Sequence, residues 1–344
     1  LVKVDSLFTP LISLLVGFST LLVVYIGSKE VMAGEITVGN ITEFIMYVFM
    51  LTWPVTALGW TSSQIQRAAA SQKRINEFLQ AHSELEMGQQ ISKPISGNWE
   101  FKNVSFTYPG SDREILKQIT FEIKSGESVA LLGTTGSGKS SLAQLMARFY
   151  DPSSGDLLLD GVSLKDWDIK HVRKALAYVP QDVFLFSTTI AENISFGQDG
   201  MSNEQIMHAA KMADVYENIM EFPDQFETIL GERGVTLSGG QKQRVSIARA
   251  LAKNPSMLIL DDCLSAVDTH TEHKILNNLK KIMVGKTSLI ISHRVSSAKL
   301  ANRIMVLQDG QIVETGNHAQ LMKRKGYYFE LYQNQLNEED KGLQ

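Results

Sequence analysis

The chain has 344 residues, enough for two domains, and a formal net charge of −4. That charge leaves no basic footprint for nucleic acid, and the single cysteine, Cys263, excludes an internal disulfide and a cysteine-based zinc site. Mean hydropathy is unremarkable at −0.06, but nearly all the long apolar runs lie in the first 65 residues.

Residues 6–28 carry no charge, a run of 23 that includes Leu11, Ile12, Leu14, Leu15, Leu21, Leu22 and Ile26. Residues 44–66 form a second uncharged run of 23, with Met46, Phe49, Leu51, Trp53 and Trp60. Each is long enough to cross a bilayer as a helix. Gly27, Gly34 and Gly39 suit an exposed turn between them. The sequence therefore predicts a transmembrane hairpin, with helices over about 6–28 and 41–66, in a membrane segment covering 1–80. The competing readings are buried core helices and a signal peptide. Lys3 makes only a thin basic leader, and a second apolar run follows directly. Arg67, Lys73 and Arg74 follow the second run and predict that all downstream sequence is cytoplasmic. Pro10 and Pro54 fit helices that kink within a bundle. Two helices cannot enclose a pathway, and the chain starts in mid-pattern without Met. The expectation is the carboxy-terminal part of a longer polypeptide in a cell membrane.

Helical spacing continues through Ile65, Ala68, Ala69, Ile75, Phe78 and Leu79, which extends the second helix into the cytoplasm. Residues 81–97, with Pro94 and Gly97, read as a linker. A soluble α/β domain is expected over 98–335, followed by a polar tail at 336–344. Strand-like runs occur at 98–106, 119–124, 128–132, 156–160, 176–179, 257–261, 287–291, 303–308 and 311–315. Helical patterns between the later ones predict a largely parallel sheet with an antiparallel flank.

Gly133-Thr134-Thr135-Gly136-Ser137-Gly138-Lys139-Ser140 fits Gly-x-x-x-x-Gly-Lys-Ser, the phosphate-binding loop. Ser128 to Leu132 reads as a buried strand before it, and Leu142, Leu145, Met146 and Phe149 repeat at helical spacing after it. That is the context the motif requires. The glycines let backbone N–H groups turn inward on phosphate, and the helix start adds positive potential. Lys139 is expected on the β- and γ-phosphates of ATP, and the Ser140 hydroxyl on Mg²⁺. Ser141 is counted with the loop. The run Met257 to Leu260 ends in Asp261 and Asp262; the first acid is expected near the metal at the strand's carboxyl end. Leu237-Ser238-Gly239-Gly240-Gln241 precedes a helix carrying Val245, Ala248 and Ala252. Taken alone, it is a helix start capped by or near Ser238.

In order and spacing these motifs resemble the ATP-binding cassette family, specifically the half-transporter exporters, across essentially the whole chain. The resemblance implies an α-helical membrane segment followed by the ABC ATPase fold: an α/β P-loop domain with an antiparallel flank and a helical subdomain. It implies that Tyr108 stacks on adenine and that Gln181, after Tyr178-Val179-Pro180, contacts Mg²⁺ or water. His293, after Ile291-Ser292, corresponds to the switch histidine on the γ-phosphate. Gly231-Glu232-Arg233-Gly234 resembles the exporter loop that touches coupling helices, and Ser265-Ala266-Val267-Asp268 the loop that crosses the dimer interface. A head-to-tail cassette dimer is implied. In it, Ser238, Gly239, Gly240 and Gln241 serve the partner's ATP.

The chain departs from the family at Asp262, where Glu usually polarises the attacking water. Asp is shorter by one methylene, about 1.5 Å, and a base must come within about 3 Å of the water. Some exporters pair an active subunit with one whose own site is weak. The weak subunit commonly carries Asp here and an intact Leu-Ser-Gly-Gly-Gln. The expectation is an ATP-driven exporter subunit in a heterodimer, carrying an apolar or amphipathic cargo through the bilayer. The alternatives are an active homodimer, a regulatory subunit with negligible turnover, or a soluble ATPase with a buried hydrophobic hairpin.

Overall fold

The computed structural model describes residues 2–81, 85, 88–198, 200–231, 234, 237–264 and 269–341. The loop Ser265 to Asp268, and Glu232 and Arg233 of the proposed exporter loop, lie outside these residues, as does the end of the polar tail at 342–344. The chain divides into two compact units, Leu1–Ser83 and Glu84–Gln344.

The first unit is a helical hairpin of α1 (Val2–Met32) and α2 (Val38–Leu79). Gly34 takes φ +80° just past the end of α1, a left-handed turn that costs glycine little. Both helices run unbroken through their prolines, Pro10 and Pro54. At 42 residues α2 is about 63 Å long, roughly twice a bilayer's apolar thickness. Among the described residues, two stretches are long and apolar enough to cross a membrane, Pro10–Met32 and the one within α2. Their apolar side chains are not packed away: Leu14, Leu21, Met50 and Trp60 all expose more than half their surface. The hairpin therefore does not form a buried core of its own.

The second unit contains two sheets. β1 (Trp99–Thr107), β2 (Glu114–Ile123), β4 (Ser154–Leu159) and β5 (Val162–Ser163) form an antiparallel sheet in the order β2-β1-β4-β5. The larger sheet has the order β10-β9-β3-β8-β7-β6. It is built from β3 (Ser128–Leu132), β6 (Leu176–Val179), β7 (Met257–Asp261), β8 (Thr287–Ile291), β9 (Arg303–Gln308) and β10 (Gln311–Gly316). All its pairings are parallel except β9 with β10. Every residue of β3, β7 and β8 is buried, as expected of central parallel strands covered on both faces.

Helix α3 (Lys139–Met146) follows β3, and α4 (Ile169–Ala175) precedes β6. A helical subdomain follows β6. It consists of α5 (Ile190–Ser195), α6 (Asn203–Met212), α7 (Tyr216–Met220) and α8 (Gly239–Ala252), packed in one apolar cluster with Leu258 and Leu260 of β7. α9 (Thr269–Ile282) and α10 (Val295–Ala298) flank β8, and α11 (His318–Arg324) and α12 (Tyr327–Lys341) close the chain.

Two expectations shift. Strand β2 starts at Glu114 rather than near 119, because irregular register around Gln118, at φ +49°, breaks the apolar alternation. The carboxyl end of the stretch read as linker is bonded to the second unit. Ile91 bridges to Trp167, and Asp160 accepts from Ser96 N–H at 2.7 Å and Asn98 N–H at 2.8 Å.

Candidate nucleotide-binding site

The phosphate-loop sequence turns from buried β3 directly into α3. Gly138 has φ +103°, a left-handed backbone that favours glycine, and a Cβ there would come within 2.8 Å of Leu116 Cδ2. Lys139 Nζ donates to Gly133 O at 2.9 Å and to Thr134 O at 2.8 Å, which holds the ammonium at the loop. Burial lowers its pKa to about 8, against the opposing pull of Asp262 and Asp261. Ser137 Oγ is buried with no hydrogen-bond partner among the described residues.

Across from the loop, β7 delivers Asp261, only 2% exposed. Ser140 Oγ donates to its Oδ1 at 3.0 Å, and Tyr178 Oη donates to its Oδ2 at 3.1 Å. Burial raises the pKa of this carboxyl; the two hydroxyl bonds oppose that shift. Burial, then Asp261, pushes the Tyr178 phenol up. Asp262 takes φ +46°, a left-handed backbone that aspartate tolerates better than most side chains, and its N–H donates to Ile291 O at 2.8 Å. Gln181 Nε2 donates to Asp262 Oδ2 at 3.4 Å. The pKa of His293 is lowered, first by burial and then by Lys139. Tyr108 Oη meets Ser141 Oγ at 2.8 Å and donates to Gln144 Oε1 at 2.8 Å. Its ring is braced edge-on by Phe106 and Tyr150.

These groups line one open cleft of about 310 Å³, into which the structure brings Tyr108, Thr135, Gly136, Gly138, Lys139, Ser140, Ser141, Gln181, Asp261, Asp262 and His293. Gly133, Thr134 and Ser137 of the loop are not among the lining residues, nor are Ser238, Gly239, Gly240 and Gln241. The last four open α8. Ser238 Oγ accepts from Gln241 N–H at 3.3 Å, while Gln241 Oε1 accepts from Ser238 N–H at 2.9 Å, a reciprocal capping box. Sequence reading gave no role to several neighbours of the site. Arg113 and Ile115 line the cleft and carry no motif. Tyr178 reaches Asp261 only because β6 and β7 pair with Tyr178 beside Ile259, two residues before Asp261 on the same face.

The cleft offers a cation at a glycine-rich helix start, a set suited to phosphate. Ser140 Oγ and Asp261 Oδ1, converging at 3.0 Å, are hard oxygen ligands of the kind Mg²⁺ takes.

Residues 116–265 match the family described as ABC transporter. The chain is 39% identical over 338 residues to the ATP-dependent lipid A-core flippase of Pseudomonas aeruginosa, covering 98% of this chain and 56% of the flippase. It is 40% identical over 333 residues to the multidrug resistance-like ATP-binding protein MdlA of Escherichia coli, covering 97% of this chain and 56% of MdlA. The chain thus spans a little over half the length of these relatives. A bacterial Atm1-family ABC exporter solved with ATP bound superposes with a TM-score of 0.74 at 37% identity, over 88% of this chain and 53% of the exporter. The chain carries an ABC transporter domain over residues 116–265.

Proposed function

We propose that this chain is a subunit of an ATP-driven exporter, with two membrane-crossing helices and a cytoplasmic ATPase domain. The observation that carries the reading is the convergence of Lys139, Ser140, Asp261, Gln181 and His293 on one cleft, with Tyr108 at its rim. Lys139 neutralises the β- and γ-phosphates, Tyr108 offers an aromatic face to adenine, and His293 faces the γ-phosphate. Ser140, Asp261 and Gln181 would hold Mg²⁺. When bound, that ion supplies charge neutralisation at the phosphate oxygens. Asp262 is the candidate base for the attacking water, held by Gln181.

The signature residues Ser238 to Gln241 are absent from this cleft, which supports the reading that they complete the partner's site in a head-to-tail dimer. ATP then closes the two cassettes through its differential affinity for the closed state, and hydrolysis reopens them. A heterodimer is the preferred assembly, because Asp262 is the short acid of a weak site. The relatives' names span lipid A-core and multidrug transport. The outward apolar side chains of α1 and α2 fit an apolar or amphipathic cargo and direct contact with lipid.

Lys139→Ala tests the reading. It deletes the cation facing the phosphates and should weaken Mg-ATP binding at this chain's site by at least roughly tenfold, the size of a lost charge-assisted contact. Unchanged affinity at that site would remove the role assigned to the loop. A regulatory subunit is the second reading, favoured by Asp262 alone. It predicts ATP binding with negligible turnover even beside an active partner.

A further inference from the structure

The loop carrying His293 is held from a distant part of the chain. Gln335 of α12 donates its Nε2 to His293 O, and its Oε1 accepts from Val295 N–H at 2.8 Å. Arg294, between those two residues, is paired with Glu272 of α9, a carboxylate 4% exposed that also accepts from Ser296 Oγ at 3.2 Å. Three consecutive residues are therefore fixed from two sides.

The bracket meets a local need. Val295 is the first residue of α10, and the first N–H groups of a helix have no partner within it. The capping position is Arg294, whose side chain has no acceptor to offer. Gln335 supplies the missing acceptor and in the same stroke ties down the His293 carbonyl. α12 is itself anchored. Tyr328 is fully buried in a cluster with Val295, Ala298 and Leu132, the last residue of β3 before the phosphate loop. Tyr328 Oη also meets His318 Nδ1 at 2.7 Å. One apolar cluster thus supports the entry to the phosphate loop, the His293 loop and the helix that brackets it.

We propose that Gln335 is a positioning residue that fixes the placement of His293 in the cleft, so that α12 is coupled to the catalytic step. The inference rests on the reading of His293 as the group facing the γ-phosphate. A displacement of about 1 Å in such a group can cost about a hundredfold in rate.

The test uses the full-length protein in lipid vesicles, in an Asp262→Glu background that makes turnover at this site readable. Gln335→Met keeps the side chain's length and removes both bonds. It should lower kcat by roughly tenfold or more and leave KM for Mg-ATP within about twofold, since uniform binding is untouched. Combined with His293→Ala it should add no further loss, because the two act as one unit. Amide exchange at Val295 should rise while that of residues 133–140 stays as in the background. Should Gln335→Met fold poorly, Gln335→Glu still accepts from Val295 N–H but cannot donate to His293 O, and should show the same fall in kcat. A background that hydrolyses ATP, with Gln335→Met equal to it, overturns this inference alone. So does a full additional loss on top of His293→Ala, which would mark Gln335 as merely structural. A background that neither binds nor hydrolyses nucleotide overturns the exporter reading, and this inference with it.

Discussion

Ser140 Oγ and Asp261 Oδ1 lie 3.0 Å apart, although 121 positions separate them in the chain. One residue lies in the first turn of the helix after the phosphate loop; the other ends a buried strand. Their meeting supports the proposal that the cleft holds Mg²⁺ as well as phosphate, since both are hard oxygen ligands. Ser140→Ala should therefore raise the Mg²⁺ concentration needed for half-maximal ATP binding by roughly tenfold or more, while binding in excess EDTA changes little. Tyr178→Phe removes the bond to the other carboxylate oxygen. It should act in the same direction but more weakly, because Tyr178 is not itself a ligand. A fluorescent-nucleotide titration at several Mg²⁺ concentrations checks both. Equal losses with and without Mg²⁺ would show that Ser140 supports the loop and not the metal.

Topology is testable with introduced cysteines. The native Cys263 is 4% exposed, and burial pushes its thiol pKa up to about 12, so it should stay silent to thiol reagents. A cysteine at Gly34 should be labelled by an impermeant reagent in intact cells. One at Arg67 should be labelled only after the membrane is opened. The reverse pattern would invert the proposed orientation and place the nucleotide cleft outside.

Asn193 offers a stability test away from the cleft. Its side chain is fully buried. It donates to Phe186 O at 3.0 Å and Thr189 O at 3.0 Å, and accepts from Phe186 N–H at 2.9 Å and Arg249 Nη2 at 2.9 Å. Asn193→Ala strands several of these groups in the subdomain interior. It should cost about 3 kcal/mol, which lowers the melting temperature of a domain this size by roughly 6–12 °C. Thermal melts of the two proteins decide it. A shift under about 2 °C would mean that water replaces the amide.

Much of this fold is legible in the sequence for a simple reason. β3, β7 and β8 are central strands, so each carries an unbroken apolar run, at 129–132, 257–260 and 289–291, that stands out from polar loops. The beginning of β2 is not legible, because the bulge near Gln118 puts polar residues where alternation should continue. β5 spans only Val162–Ser163, too short for any period to show. In the cleft, the glycines, Lys139 and Ser140 are fixed by local loop chemistry and are readable as a motif. Tyr178 is not, because its bond to Asp261 depends on how β6 and β7 register. Gln335 is hidden for the same reason: its partners are 40 and 42 positions away and reached only through the packing of α12.

Asp262 decides what kind of subunit this is. Its carboxylate is held by Gln181 at 3.4 Å, and its backbone is pinned to Ile291 in a left-handed turn at φ +46°. The side chain can reach no further than one methylene allows. If that shortfall is why the site is weak, Asp262→Glu should extend the acid by about 1.5 Å and bring it within reach of the attacking water. Turnover at this site should then rise by about tenfold or more, a fraction of the roughly hundredfold or more that a well-placed base contributes. The longer side chain fits the left-handed backbone less well than aspartate does, so a slight fall in melting temperature should accompany the gain. Ser238→Ala should leave this chain's own nucleotide in place and slow hydrolysis at the partner's site, since that serine lies outside this cleft. The measurement is ATPase rate in the assembled complex with the partner's own base removed. A rise with Asp262→Glu marks a weak native site whose other parts are competent. Robust hydrolysis by this chain alone, unchanged by Asp262→Glu, would mean that aspartate already serves as the base. The heterodimer would then lose its main support, and an active homodimeric exporter would take its place.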